Sequence, residues 1–150
     1  MNITRRHMMI GLAGAGVLGA GYTLAPTRSS AAESTFLDPA EAHKQALSGD
    51  ILLIDIRRPD EWKRTGVGQG AIPIDMRRPD FIQAVSAAQT ERGGLPVALI
   101  CARGVRSRRM TFALVQANVG PIIDIPEGML GSRAGPGWLQ RKLPVTAWTG

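Results

Sequence analysis

The chain has 150 residues, with 18 Lys plus Arg against 12 Asp plus Glu, one Cys and two His. That length suits one compact domain. The single Cys excludes an internal disulfide, a CxxC redox pair and a thiolate zinc site, and His7 and His43 cannot build a histidine metal centre or a Ser-His-Asp triad. Arg5, Arg6 and Arg28 are the only charged side chains of residues 1–32, so the remainder carries 15 bases against 12 acids. A body at +3 does not demand nucleic acid.

Residues 1–32 read as an export signal and 33–150 as one domain. A basic start with Arg5-Arg6 precedes an uncharged stretch from Met8 to Ala25, and a polar segment ends in Ser30-Ala31-Ala32, small residues that signal peptidase accepts. Thr4-Arg5-Arg6-His7-Met8-Met9 resembles the twin-arginine export motif. The alternative is an uncleaved anchor. Five glycines within 18 uncharged residues make a poor membrane helix, however, against the roughly 20 apolar residues a span needs. Cleavage near Ala32 leaves 118 residues in the periplasm, with no stable membrane insertion expected.

From Glu33 onward, strand-like and helix-like segments alternate. Asp38-Pro39-Ala40-Glu41 has the form of a helix start: an N-capping Asp, Pro in the first turn and an acid near the positive helix end. That helix runs to about Leu47 and stops at Ser48-Gly49-Asp50. Ile51 to Ile56 is a short apolar run, the mark of a strand buried on both faces. Pro59-Asp60-Glu61-Trp62 opens a short helix, and Ala71 to Ile74 forms a short strand. Pro79 to Arg92 supports a helix with Phe81, Ile82, Val85 and Ala88 at helical spacing, ended by Gly93-Gly94. Pro96 to Ile100 is a second buried strand. Val105 to Ala117 follows as a helix with Met110, Leu114 and Ala117 on one face, and Pro121 to Ile125 is a third strand. Gly and Pro crowd residues 126–137 before a short helix at Trp138 to Arg141. Apolar strands separated by helices predict an α/β fold: a mostly parallel central sheet with helices on both faces.

Parallel sheets present reactive groups at the carboxyl ends of their strands. Here that position holds Cys101-Ala102-Arg103-Gly104-Val105-Arg106-Ser107. A Cys leading into a helix N-terminus meets backbone N–H groups that no helical carbonyl satisfies. Those donors and the helix dipole favour a thiolate and form a nest for an anion above it. Gly104 gives the loop its backbone freedom, and Arg103 and Arg106 add fixed charge, with Arg108 and Arg109 close behind. No histidine base is needed. The competing reading is an inert Cys ending a buried strand, but an arginine-dense loop is a poor setting for one.

Leu53-Ile54-Asp55-Ile56-Arg57-Arg58-Pro59-Asp60-Glu61-Trp62 resembles the first signature of rhodanese domains, LIDVR-x-P-x-E-W, and residues 101–107 resemble their C-x-x-G-x-R-S active loop. Leu143-Pro144-Val145 is similar to their closing segment, so the likeness runs from about Phe36 to Val145. The resemblance implies sulfane-sulfur transfer through a persulfide on Cys101. The loop (Ala102, Arg103, Gly104, Val105, Arg106, Ser107) would bind a small anionic donor such as thiosulfate, and the acceptor would be cyanide, a thiol or a protein. It implies no cofactor and no metal. Asp55 matches the first signature and sits late in a buried strand, which points to hydrogen bonding with loop backbone rather than proton transfer. Arg57 either steers anions or pairs with a carboxylate such as Glu61.

The departures are informative. The usual G-H-I-x-G-A reads Gly66-Val67-Gly68-Gln69-Gly70-Ala71, without its His, and the usual Gly-Gly near the last strand reads Glu127-Gly128. Many relatives carry Ser where this chain has Arg103, which should favour a dianionic donor over a carboxylate such as mercaptopyruvate. Trp138 belongs either at the pocket mouth or in the core. Two rival functions remain. One is a persulfide carrier or partner-binding module without turnover. The other is a cysteine phosphatase, which would need C-x5-R where this loop is C-x4-R.

Overall fold

The computed structural model describes residues 36–150; the export signal read at residues 1–32 lies outside them. The elements in chain order are α1 (Pro39–Ser48), β1 (Leu52–Asp55), α2 (Pro59–Thr65), β2 (Val67–Gly68), β3 (Ile72–Pro73), α3 (Phe81–Glu91), β4 (Val97–Ile100), α4 (Val105–Gln116), β5 (Ile122–Asp124), α5 (Gly137–Gln140) and β6 (Val145–Thr146). The local signals act as the sequence predicts. Asp38 caps α1 by accepting the N–H groups of Ala40 at 2.8 Å and Glu41 at 3.1 Å, and Gly49 ends that helix in the left-handed region.

Four strands form a parallel sheet in the order β3-β1-β4-β5. Because side chains alternate along a strand, β1 and β4 feed two cores. Leu52, Ile54, Val97 and Leu99 face Phe81 and Val85 of α3 and Leu114 of α4. Leu53, Ala98 and Ile100 face Ala42 of α1 and Trp138 of α5. All eight residues of the two central strands are buried, which is why both runs lack polar alternation apart from Asp55 at the strand end.

One reading needs correction, and one pair of alternatives is decided. Ala117 is exposed. It caps α4 rather than continuing it, the chain turns through Asn118 at φ 57°, and Val119 enters the core instead. Trp138 does not line a pocket mouth. It is fully buried, its Nε1 donates to the Pro144 carbonyl at 2.9 Å, and His43 meets its ring edge-on at 5.3 Å. Val67-Gly68 pairs antiparallel with Val145-Thr146 and closes the C-terminal segment onto the body. Two residues are too few to show periodicity, so the sequence gives no sign of this ribbon. Gly68 is required there because a Cβ would stand 2.9 Å from the Trp138 ring.

Candidate active site

β4 ends at Ile100, and Cys101 follows at the carboxyl edge of the sheet between the ends of β1 and β5. The chain then folds back tightly. Gly104, at φ 80°, caps α4 and turns its N–H onto Cys101 Sγ at 3.1 Å. Cys101 Sγ also lies 3.5 Å from Ser107 Oγ, which donates to the Gly104 carbonyl at 3.2 Å. Val105, Arg106 and Ser107 form the first turn of α4, whose N–H groups have no helical acceptor one turn earlier. The sulfur therefore sits at the positive end of a 12-residue helix, with one amide already aimed at it.

The loop is braced from outside by residues 126–131. Met129 N donates to the Cys101 carbonyl at 2.8 Å and Leu130 N to the Ala102 carbonyl at 2.9 Å. Gly104 packs on the backbone of Pro126, so any Cβ there would collide with its carbonyl oxygen. Gly128, at φ 68°, leaves only 2.5 Å between a hypothetical Cβ and the Ala102 oxygen. Two glycines on facing segments thus permit backbone-to-backbone contact. Glu127 holds the brace in turn. Its carboxylate accepts the Gly137 N–H at 2.9 Å and two N–H groups of Arg141 at 2.6 and 2.9 Å. The charged residue in place of the first glycine of the usual pair is therefore a tie for the Gly- and Pro-rich segment.

Arg106 extends away from the loop to Glu61 of α2. Its Nη1 and Nη2 donate to the two carboxylate oxygens, each at 2.7 Å. Glu61 also accepts the Arg58 N–H at 3.1 Å, reaching back along α2 in the manner of a capping box. The Arg106 hydrogen bonds hold the Glu61 carboxyl at a pKa of about 2, against 4.5 for an ordinary glutamate. The same pair raises Arg106, with smaller charge effects from Cys101 and Asp55. Glu61 is the site residue that the sequence reading missed as a partner of the loop. The signal lay in the signature itself, where Glu61 sits one turn into a helix opened by Pro59.

Asp55 and Arg57 form a separate buried unit. Asp55 Oδ1 accepts the Arg57 backbone N–H at 3.1 Å, and the carboxylate takes Arg57 Nε and Nη2, the latter at 2.7 Å. Arg57 Nη1 reaches Thr65 Oγ1 and Nη2 the Gly66 carbonyl, both at 2.8 Å. Arg57 is only 1% exposed. It neither steers anions nor pairs with Glu61. Its partner is Asp55, and together they tie the end of β1 to the end of α2.

Of the loop residues, Cys101, Gly104 and Ser107 are buried, Ala102 and Arg106 are half-buried, and Arg103 and Val105 are exposed. The thiol is thus both enclosed and hydrogen bonded, which the choice between an inert and a reactive Cys did not anticipate. No group of three or more His, Cys, Asp or Glu among the described residues is placed to hold a metal, and no helix among them is long and apolar enough to cross a membrane.

A parallel α/β sheet with a Cys-led loop closing onto a helix N-terminus is the rhodanese arrangement. The Rhodanese-like domain family model matches residues 38–131, and the chain belongs to that family. That match ends before Leu143-Pro144-Val145. The tRNA uridine(34) hydroxylases of two Acinetobacter baumannii strains are 28% identical over 96 residues, which is 63% of this chain and 30% of theirs. The chain therefore spans about a third of these curated relatives. The 30 kDa polysulfide-sulfur transferase homodimer from Wolinella succinogenes has a similar structure, with a TM-score of 0.52, 25% identity and coverage of 77% of this chain and 80% of that one. A Rhodopseudomonas palustris protein described as a possible tyrosine phosphatase shares the fold, at TM-score 0.53, 22% identity and coverage of 76% and 84%.

Proposed function

We propose that the protein is a sulfurtransferase that moves sulfane sulfur from thiosulfate, or a similar anionic donor, to a nucleophilic acceptor through a persulfide on Cys101. The observation that carries this is the Gly104 N–H on Cys101 Sγ at the N-terminus of α4, in a domain of the rhodanese family. The similar sulfur transferase supports the same reading.

The Cys101 thiolate attacks the outer sulfur of thiosulfate. The S–S bond of the donor breaks, sulfite leaves with the electron pair, and the sulfur stays on Cys101 as a persulfide. An acceptor such as cyanide then takes that terminal sulfur, leaving as thiocyanate, and the thiolate returns. Loop N–H groups meet the anion, and Arg106 contributes charge while its terminal nitrogens fasten the loop to Glu61. The sulfur is covered in the resting state, so the loop rim must yield when the donor enters.

A phosphatase would turn its loop arginine onto the phosphoryl group. Here the spacing is one residue short and both terminal nitrogens of that arginine face a carboxylate. The tRNA hydroxylase relatives share the domain with this chain, over 96 residues. The reaction takes place in the periplasm if residues 1–32 act as the export signal they resemble. Steady-state kinetics with thiosulfate and cyanide test the proposal. Parallel lines in double-reciprocal plots, with no hydrolysis of an aryl phosphate, are expected. Persulfide formation without turnover would instead establish a carrier.

A further inference from the structure

Seven of the twelve arginines among the described residues make ion pairs. Of the other five, three converge on one cleft. Arg103, Arg108 and Arg133 line an opening of about 280 Å³ beside the active loop, with Gly104, Val105, Pro126 and Ala134 completing its walls. All three arginines are exposed, and none has a salt-bridge partner. The carboxyl acting on Arg108 is Asp124, which is 2% exposed and forms no salt bridge with it. Burial pushes that carboxyl above its ordinary value.

Arg133 owes its place to a built turn. Ser132 N donates to the Gly135 carbonyl at 2.9 Å, Ala134 N to Ser132 Oγ at 3.1 Å, and Ser132 Oγ to the Pro126 carbonyl at 2.8 Å. The Gly- and Pro-rich segment that braces the loop therefore also brings a third cation into the cleft with Arg103 and Arg108.

We infer that this cleft binds the sulfur acceptor, and that the acceptor is a small thiol carrying two carboxylates. The inference rests on the sulfur-transfer reading above. Three exposed guanidinium groups without salt-bridge partners call for more than one negative charge. The volume lies just under the roughly 300–1,000 Å³ of small-molecule sites, so it suits a compact molecule rather than a chain segment. Thiosulfate is smaller than the cleft and, on the reading above, is held by the loop N–H groups. The thiolate of a bound acceptor attacks the outer persulfide sulfur, the bond to Cys101 breaks, and the acceptor leaves as its own persulfide.

Two measurements on the protein decide this. In the first, the unloaded protein is titrated with succinate, a dianion without sulfur, and followed through its backbone amide NMR resonances. Saturable shifts at Arg103, Arg133 and Ala134 are expected. Their absence would overturn the cleft as an anion site whether or not a persulfide ever forms. In the second, persulfide-loaded protein is discharged with mercaptosuccinate or with neutral mercaptoethanol at low salt. Mercaptosuccinate should be favoured by ~10-fold or more, at the lower end of electrostatic steering. That preference should collapse in Arg133→Ser and Arg108→Ser. It should persist in Arg92→Ser, which removes equal charge at the C-cap of α3, outside the cleft. Equal preference in all three variants would overturn the acceptor assignment. Failure of thiosulfate to load Cys101 would be a failure of the sulfur-transfer reading, seen separately from the succinate result.

Discussion

Arg106 and Glu61, 45 residues apart in sequence, meet through two hydrogen bonds of 2.7 Å and join the first turn of α4 to α2. An arginine whose charge interacts with Cys101 is therefore also the fastening of the loop that holds it. Glu61→Gln should leave that guanidinium short of a charged partner, lowering stability by about 2–3 kcal/mol in urea unfolding. Arg106→Lys cannot make the paired contact and should lose most of the same stability together with donor affinity. The pH dependence has a definite sign. Because the folded carboxyl is depressed from 4.5 to about 2, its contribution is fully present above pH 4.5 and is lost as pH falls towards 2. The acid limb of the stability curve should flatten over that window in Glu61→Gln. An unchanged acid limb would contradict the assignment.

Gly128→Ala tests the brace. A Cβ would meet the Ala102 carbonyl at 2.5 Å in a backbone conformation that favours glycine. The variant should lose ~10-fold or more in sulfur transfer, as expected when catalytic groups are misplaced by fractions of an ångström. Amide resonances of α1 and of Leu52 to Ile54, away from the loop, should keep their positions. Full activity would mean that the loop does not depend on segment 126–131.

Asp55→Asn tests the buried unit. It leaves the Arg57 guanidinium charged, almost wholly buried and short of its carboxylate, a situation that costs about 3–5 kcal/mol. The midpoint of denaturant unfolding should fall accordingly, with the slope unchanged. A neutral result would place Arg57 outside the fold's essential ties.

For the export signal proposed at residues 1–32, replacement of Arg5 and Arg6 by Lys should leave precursor in the cytoplasm, and the exported form of the unaltered chain should begin near Glu33. Normal export of the double variant would favour a general secretory route.

The long-range architecture was readable because β1 and β4 are buried on both faces and display it as unbroken apolar runs. The proposed nucleophile stands out in the sequence for a related reason: a lone Cys ends one of those runs and is followed by a glycine and arginines. Side-chain partnership was harder to read. Glu61 has Arg57, Arg58 and Arg64 within four residues, yet its strongest partner is 45 residues away. Arg57 turns back to Asp55 because both are enclosed where β1 ends. The ribbon of β2 with β6 was hidden because two-residue strands carry no period. Nothing in the sequence around Arg133 signals that the Ser132 turn brings it into one cleft with Arg103.

The central claim is that Cys101, the only thiol in the chain, carries the transferred sulfur. The most direct test is the mass of the protein after thiosulfate is added without acceptor, with the modified peptide then identified. A gain of one sulfur atom is expected on the peptide containing Cys101. Addition of cyanide should restore the original mass and release thiocyanate, and Cys101→Ser should show neither change while retaining its fold. Unchanged mass with thiosulfate and with polysulfide, or continued sulfur transfer by Cys101→Ser, would contradict the account.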